Sequence, residues 1–308
     1  MKITKYKKLL IESIKKKTVI DDIMAVFLII SGFADKYLAG LVSMYKGYTW
    51  VKKSFKNKIG KMEIPVGIPM EKKRVWICWL QGMENAPELV KECYKSIQYW
   101  LRDWEIIVIT RENMSEYVKF PDFILKKWKK GIITNTHLSD LLRLELLIRY
   151  GGLWLDATTY LTGKLPSYVE KRDFFVYRNG WMDQEMINMA SWFIYAGKTN
   201  NKLLFETRNL LYLYWKKYNF LKAYFLLHMF FRMVTDKYKE DWDNVIYINH
   251  IDQHMLMWEL EKIYDKDKIE IIKEKSSVHK LTYKINMRNI NNMTVNKLDS
   301  IFIDNKDE

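Results

Sequence analysis

The stretch HLSDLLRLELLIRYGGLWLDATTYLT, His137 to Thr162, constrains the fold more than any other part of the chain. An apolar run at helical spacing is stopped by Gly151-Gly152, and a strand over Leu153 to Ala157 follows with no loop between them. Leu153, Trp154 and Leu155 are all apolar, the pattern of a strand buried on both faces, as in a parallel sheet covered by helices. Two upstream segments extend the pattern. RVWICWL (Arg74 to Leu80) and EIIVIT (Glu105 to Thr110) read as buried strands, and Ala86 to Leu101 between them as a helix with Asn85 as cap and Pro87 in its first turn. Strand, helix, strand predicts an α/β chain with a mostly parallel sheet.

Further along, a short helix is expected near Pro121 to Lys130, strands at 174–178 and 192–196, and aromatic helices at about 200–218 and 220–236. Another helix is expected over 250–263, and the Asn-rich tail from 276 reads as irregular apart from short strands. With 49% apolar residues in a chain of 308, there is enough material for one large core.

Residues 1–62 read as two or three helices, and MEIPVGIP (Met62 to Pro69) as a linker, which divides the chain into an N-terminal segment, 1–68, and a main domain, 69–308. Residues 1–74 hold 17 Lys/Arg against 6 Asp/Glu, so most of the net charge of +14 lies in the first quarter. The longest uncharged run there, Ile23 to Ala34, is shorter than the roughly 20 apolar residues that cross a bilayer. Asp21 and Asp22 interrupt the pattern of a signal peptide. A basic, aromatic, amphipathic segment suits an anionic membrane surface, and equally a solvated face of an ordinary helical subdomain. No nucleic-acid-binding motif is present, so nucleic acid is not expected as a partner. Cys78 and Cys93 lack metal-ligand spacing and suit a reducing compartment.

In open parallel sheets ligands bind beyond the carboxyl ends of strands, where Asp156 stands. Either it meets a cation or hydroxyl there, or it caps a turn. Asp140 and Arg143, three apart on one helix face among leucines, form either a site or a structural ion pair. Trp76 and Trp79 should point to opposite sides of their strand, one of them into the core. His250 and His254 share a helix face, but no third zinc ligand is evident.

The run SDLLRLELLIRYGGLWLDAT resembles the signature of nucleotide-sugar glycosyltransferases of the GT-A type, namely the capsular polysaccharide synthesis proteins and glycosyltransferase family 32, with the clostridial glucosylating toxins as distant relatives. RVWICWLQGMENAPELVKECYKSI resembles the first strand and helix of that family. The resemblance implies a GT-A-like, Rossmann-type sheet, a nucleotide-sugar half at about 74–165 and acceptor-side helices at about 198–265. It implies that Asp140 and Arg143 hold hydroxyls of the donor sugar, and that Asp156 belongs to the D-x-D element meeting ribose and metal. Thr158 replaces the second aspartate of that element.

Similarity of position also makes His279 a candidate metal ligand, Lys280 and the weaker Lys284 candidates for the diphosphate, and Trp79 with Gln81 candidates for the nucleotide. Asp252 and Gln253 are weak candidates for the acceptor. The function so implied is a retaining hexosyltransferase that uses Mn2+ or Mg2+. It would move galactose or glucose from UDP-galactose or UDP-glucose to a polyprenyl-pyrophosphate-linked oligosaccharide, bound peripherally at the cytoplasmic side of a bacterial cell membrane. A non-catalytic membrane-associated protein and a basic nucleic-acid-binding protein are the alternatives.

Overall fold

The structure is a computed structural model, and it describes residue 11, residues 13–14, 19–179, 186–262 and 265–283, and residue 298. Two helices, α1 (Val19–Ile30) and α2 (Lys36–Phe55), come first, the second capped by the Asp35 carboxylate on the Leu38 amide at 2.7 Å. Strand β1 (Arg74–Cys78), helix α3 (Glu88–Trp100) and strand β2 (Glu105–Ile109) form the first crossover. Helix α4 (Asp122–Lys129) and helix α5 (Asn135–Tyr150) lead into strand β3 (Gly152–Leu155). Strands β4 (Thr159–Leu161), β5 (Phe174–Arg178) and β6 (Met189–Ala196) precede helices α6 (Lys202–Lys217) and α7 (Leu226–Lys237). Helix α8 (Lys266–Lys275) and strand β7 (Val278–Lys280) follow.

The main sheet runs β2-β1-β3-β6-β5, and β4 pairs with β7 in a separate antiparallel ribbon. Strands β2, β1 and β3 are parallel, whereas β6 is antiparallel to β3 and to β5. Four of the five strands of this sheet therefore share one direction, as expected of a mostly parallel sheet, and β6 runs against them. Apolar runs report burial on both faces and are silent about direction.

Successive residues of β1 and β3 feed opposite layers. Val75, Ile77, Leu153 and Leu155 pack with Ile97 of α3, while Trp76 and Trp154 pack with the leucines of α5 on the other face. The chain thus leaves β1 toward one side of the sheet and enters β3 from the other. A crevice opens between the carboxyl ends of β1 and β3, the switch point at which such sheets take ligands.

The glycine pair makes the direct α5 to β3 passage sterically possible. Gly151 and Gly152 have φ of +68° and +100°, and a Cβ on Gly152 would lie 2.6 Å from the Arg74 carbonyl oxygen. Helix α5 begins two residues earlier than the spacing indicates, because the Thr134 hydroxyl caps the His137 amide. At α3 the expected Asn85 cap is absent. Its amide donates to the Gln81 carbonyl at 2.8 Å instead, and Pro87 occupies the cap position.

The expected boundary at 68/69 does not separate two cores. Tyr48, Val51 and Phe55 of α2 are buried in the layer that also holds Trp76, and Phe55 packs edge-on against Phe230 of α7 with centroids 5.2 Å apart. Helix α1, by contrast, packs on α2 and exposes Ile20, Phe27 and Ile30. No helix among the described residues is long and apolar enough to cross a membrane.

Candidate active site

Residues after β1 and β3, the first turns of α5, and strand β7 converge on the crevice. A cavity of ≈ 660 Å³ is bounded by Cys78 at the end of β1 and Trp79 and Gln81 after it, by Asn135, Ser139 and Arg143 of α5, and by Asp156 and Thr158 after β3. A second cavity of ≈ 450 Å³ adjoins it, walled by Asp140, Asn179, Trp192, His228 and His250. Arg143, Asp156, Tyr224, His254 and Lys280 border both. A ligand lying across that border meets one carboxylate and two cations at once.

Arg143 organises the cluster. Its guanidinium donates to the Ser191 carbonyl at 2.6 Å, lies 3.2 Å from an Asp140 oxygen and 3.6 Å from an Asp156 oxygen, and stacks 4.9 Å above the Trp154 ring. The Asp140 carboxylate also meets His137 Nδ1 at 3.3 Å. Burial raises the pKa of this carboxyl, but Arg143 and the His137 hydrogen bond outweigh it and hold it below the usual carboxylate value. Asp140 is therefore ionised at neutral pH, one member of a buried pair whose disruption costs about 3–5 kcal/mol.

Asp156 accepts from the Trp154 indole at 3.0 Å, and its backbone amide donates to the Trp192 carbonyl at 2.9 Å. Its second oxygen lies 3.6 Å from Lys280 Nζ. The same ammonium donates to the Thr158 hydroxyl. Helix α5, strand β3 and strand β7 are thereby tied into one charged network, open on the side facing the cavities.

Trp76 is fully buried and donates to the Gly151 carbonyl at 2.9 Å, whereas Trp79 lies on the cavity wall with Tyr283 edge-on at 5.8 Å. Gln81 is exposed at the rim. His279 is not brought to Asp156. Adjacent strand residues point to opposite faces, so Lys280 turns toward Asp156 while His279 turns inward, where its Nε2 meets the Thr162 hydroxyl at 2.9 Å. Burial pushes that imidazole down to about 3, a neutral core histidine. Asp252 and Gln253 border neither cavity, and Gln253 is buried with its amide 3.3 Å from the Ser276 hydroxyl. Lys284 lies outside the described residues.

Several site residues were not singled out from the sequence: His137, Trp154, Ser191, Tyr224 and His228. His137 and Trp154 lie within the 137–162 stretch, and their i, i+3 and i, i+2 spacings to Asp140 and Asp156 were the available signal. His228, pushed by burial down to about 4, comes from α7 with no local cue. Burial also pushes the Cys78 thiol up to about 12, which leaves it protonated and unsuited to nucleophilic catalysis.

The sequence profile of the capsular polysaccharide synthesis protein family matches residues 41–298, which include every described residue of this site. The chain belongs to that family. Within the family match lie α5, the glycine pair, β3 and β7, the elements that assemble the charged network. The chain is also similar to the O-glycosyltransferase braB of Annulohypoxylon truncatum, 35% identical over 101 residues that make up 29% of this chain and 23% of that protein. Over 101 residues it is 30% identical to the O-glycosyltransferase PaGT of Phomopsis amygdali, spanning 29% and 24% of the two chains. The matched segment is thus about a quarter of the length of these curated relatives. A solved structure titled PaToxG Glycosyltransferase aligns with 86% of this chain and 97% of its own at 11% identity and a TM-score of 0.38, a likeness too distant to argue from.

The network does not fit a resident divalent ion. Among the described residues no three His, Cys, Asp or Glu side chains gather as a metal site. Asp156 and Thr158 offer one carboxylate and one neutral hydroxyl, and the Lys280 ammonium already lies on both. Mg2+ and Mn2+ favour several hard oxygen ligands and no neighbouring cation.

Proposed function

We propose that this chain is a glycosyltransferase that takes a nucleotide sugar in the crevice between β1 and β3. The observation that carries the reading is the Asp140–Arg143–Asp156 network at a sheet switch point, bordering two joined cavities. The larger cavity, with Trp79 on its wall, suits a nucleotide, since an aromatic face offers stacking to a base. The border suits the sugar. Ionised Asp140 and the side-chain oxygens of Asp156 accept hydrogen bonds from its hydroxyls, and Arg143, held by the Ser191 carbonyl, fixes the spacing between them. A leaving diphosphate gains negative charge as the glycosidic bond breaks, and Arg143 and Lys280 stand where they stabilise it. The smaller cavity, with neutral His228 on its wall, is left for the acceptor.

The finer reading is a retaining transfer of galactose or glucose from UDP-galactose or UDP-glucose to a polyprenyl-pyrophosphate-linked oligosaccharide, at the cytoplasmic side of a bacterial cell membrane. Its support is the resemblance of the 137–162 stretch to capsular transferases and the surface of α1 with the turn that follows it. Ile30 and Phe33 are 80% and 78% exposed beside a strongly basic N-terminal segment, which suits a peripheral hold on anionic lipid. Incubation with a panel of UDP-sugars, followed by measurement of slow hydrolysis to UDP, tests the reading without knowledge of the acceptor. One sugar hydrolysed by the parent and not by Asp156→Asn supports it. A protein that releases no UDP from any donor, yet binds a short oligonucleotide with a steep salt dependence, would be a nucleic-acid binder instead.

A further inference from the structure

We infer that Lys280 is the resident cation of this site, and that the chain holds the diphosphate of its donor without a divalent metal. The inference rests on the nucleotide-sugar reading and concerns what neutralises the phosphates. Strand β7 pairs with β4 in a register that sets Lys280 opposite Thr159, and the Leu281 amide donates to the Thr158 carbonyl at 2.9 Å. The backbone ladder therefore delivers the lysine to the turn that carries Asp156 and Thr158, and strand alternation sends its side chain to that turn. Its ammonium donates to the Thr158 hydroxyl and lies 3.6 Å from an Asp156 oxygen, partly open to both cavities.

A metal bridging a carboxylate to a diphosphate needs an unoccupied carboxylate edge. Here one Asp156 oxygen faces the Trp154 indole and Arg143, and the other faces Lys280. A divalent ion would enter between two cations. A diphosphate entering the same border meets Lys280 and Arg143 directly, already oriented by Asp156 and the Ser191 carbonyl, with little reorganisation. Thr158, in place of a second carboxylate, leaves the ammonium a neutral acceptor and avoids drawing a metal to the turn.

The test is calorimetric binding of UDP and of GDP to the full chain, in EDTA and in excess MnCl2. The expected result is binding of at least one nucleotide, unchanged within about twofold by EDTA. Lys280→Met should weaken it about tenfold or more, the loss of one charge-assisted contact, and Lys280→Arg should retain most of it. The double variant Lys280→Met with Thr158→Asp should regain affinity only when Mn2+ is added. Binding by the parent that vanishes in EDTA and returns with Mn2+ overturns the inference and leaves the nucleotide-sugar reading intact. Lys280→Met binding as tightly as the parent in EDTA also overturns it. No binding of either nucleotide under any condition overturns the reading itself, and this inference with it.

Discussion

Residues 135–161 and residues 250–281 both line the crevice, and they reach it in different ways. In the first region the chain is continuous: helix, glycine pair, strand and turn place Asp140, Arg143 and Asp156 together with no long connection. In the second, a strand of three residues returns from more than a hundred positions away, and its register is set by its pairing with β4. A local pattern tolerates small errors in reading it. A register does not, because a slip of one residue exchanges the faces of His279 and Lys280.

The largest expected effect breaks the continuous region. Gly152→Ala puts a methyl group against the Arg74 carbonyl in backbone of φ +100°, and should cost about 3 kcal/mol or more, read as a loss of soluble folded protein or a large fall in Tm. No ladder position of β7 should be as sensitive to a single methyl group.

Asp156→Asn should lower donor hydrolysis by about 100-fold or more while Tm moves by only a few degrees, since an amide oxygen still accepts from the Trp154 indole and Arg143 keeps Asp140. If that variant instead unfolds, the carboxylate is a structural cap. Arg143→Lys keeps the charge but loses the fork that reaches Ser191, Asp140 and Asp156 together. Hydrolysis by it should fall by at least about tenfold, with part of the loss traceable to a lower Tm. Parent-like turnover would make Arg143 structural.

The smallest effect lies in the returning region and is read in pH. The His279 imidazole is depressed to about 3 from its ordinary 6.5, so between those values the unfolded chain binds the extra proton. Its contribution to stability is complete above about 6.5 and is lost as pH falls, at about 1.4 kcal/mol per pH unit. His228, depressed to about 4, adds a slope of the same sign. His279→Gln should fold less stably at pH 7 and show a shallower loss of Tm from pH 7 to 5. A slope equal to the parent's would show that His279 is not buried neutral.

How much was legible follows from the same contrast. The helix, the glycine stop, the buried strand and the juxtaposition of Asp140 with Arg143 follow from spacing within one stretch, because helical and strand periods dictate which side chains share a face. The direction of β6, the inward turn of His279 and the arrival of His228 depend on which strands pair and in what register. No residue in those segments encodes that by itself. The expected boundary at 68/69 does not divide the core for a related reason: two prolines and a glycine mark a bend in the chain, while Phe55 before the bend and Phe230 far after it share one core.

On the proposed reading, the donor lies across the border of the two cavities. A crystal structure of the full chain, soaked with the UDP-sugar that the hydrolysis panel identifies, tests it most directly. The expected result is the base against Trp79, the diphosphate within hydrogen-bond distance of Lys280 and Arg143, and sugar hydroxyls on Asp140 and Asp156. A nucleotide bound elsewhere on the molecule, with the Lys280 to Asp156 contact left solvent-filled, would contradict it.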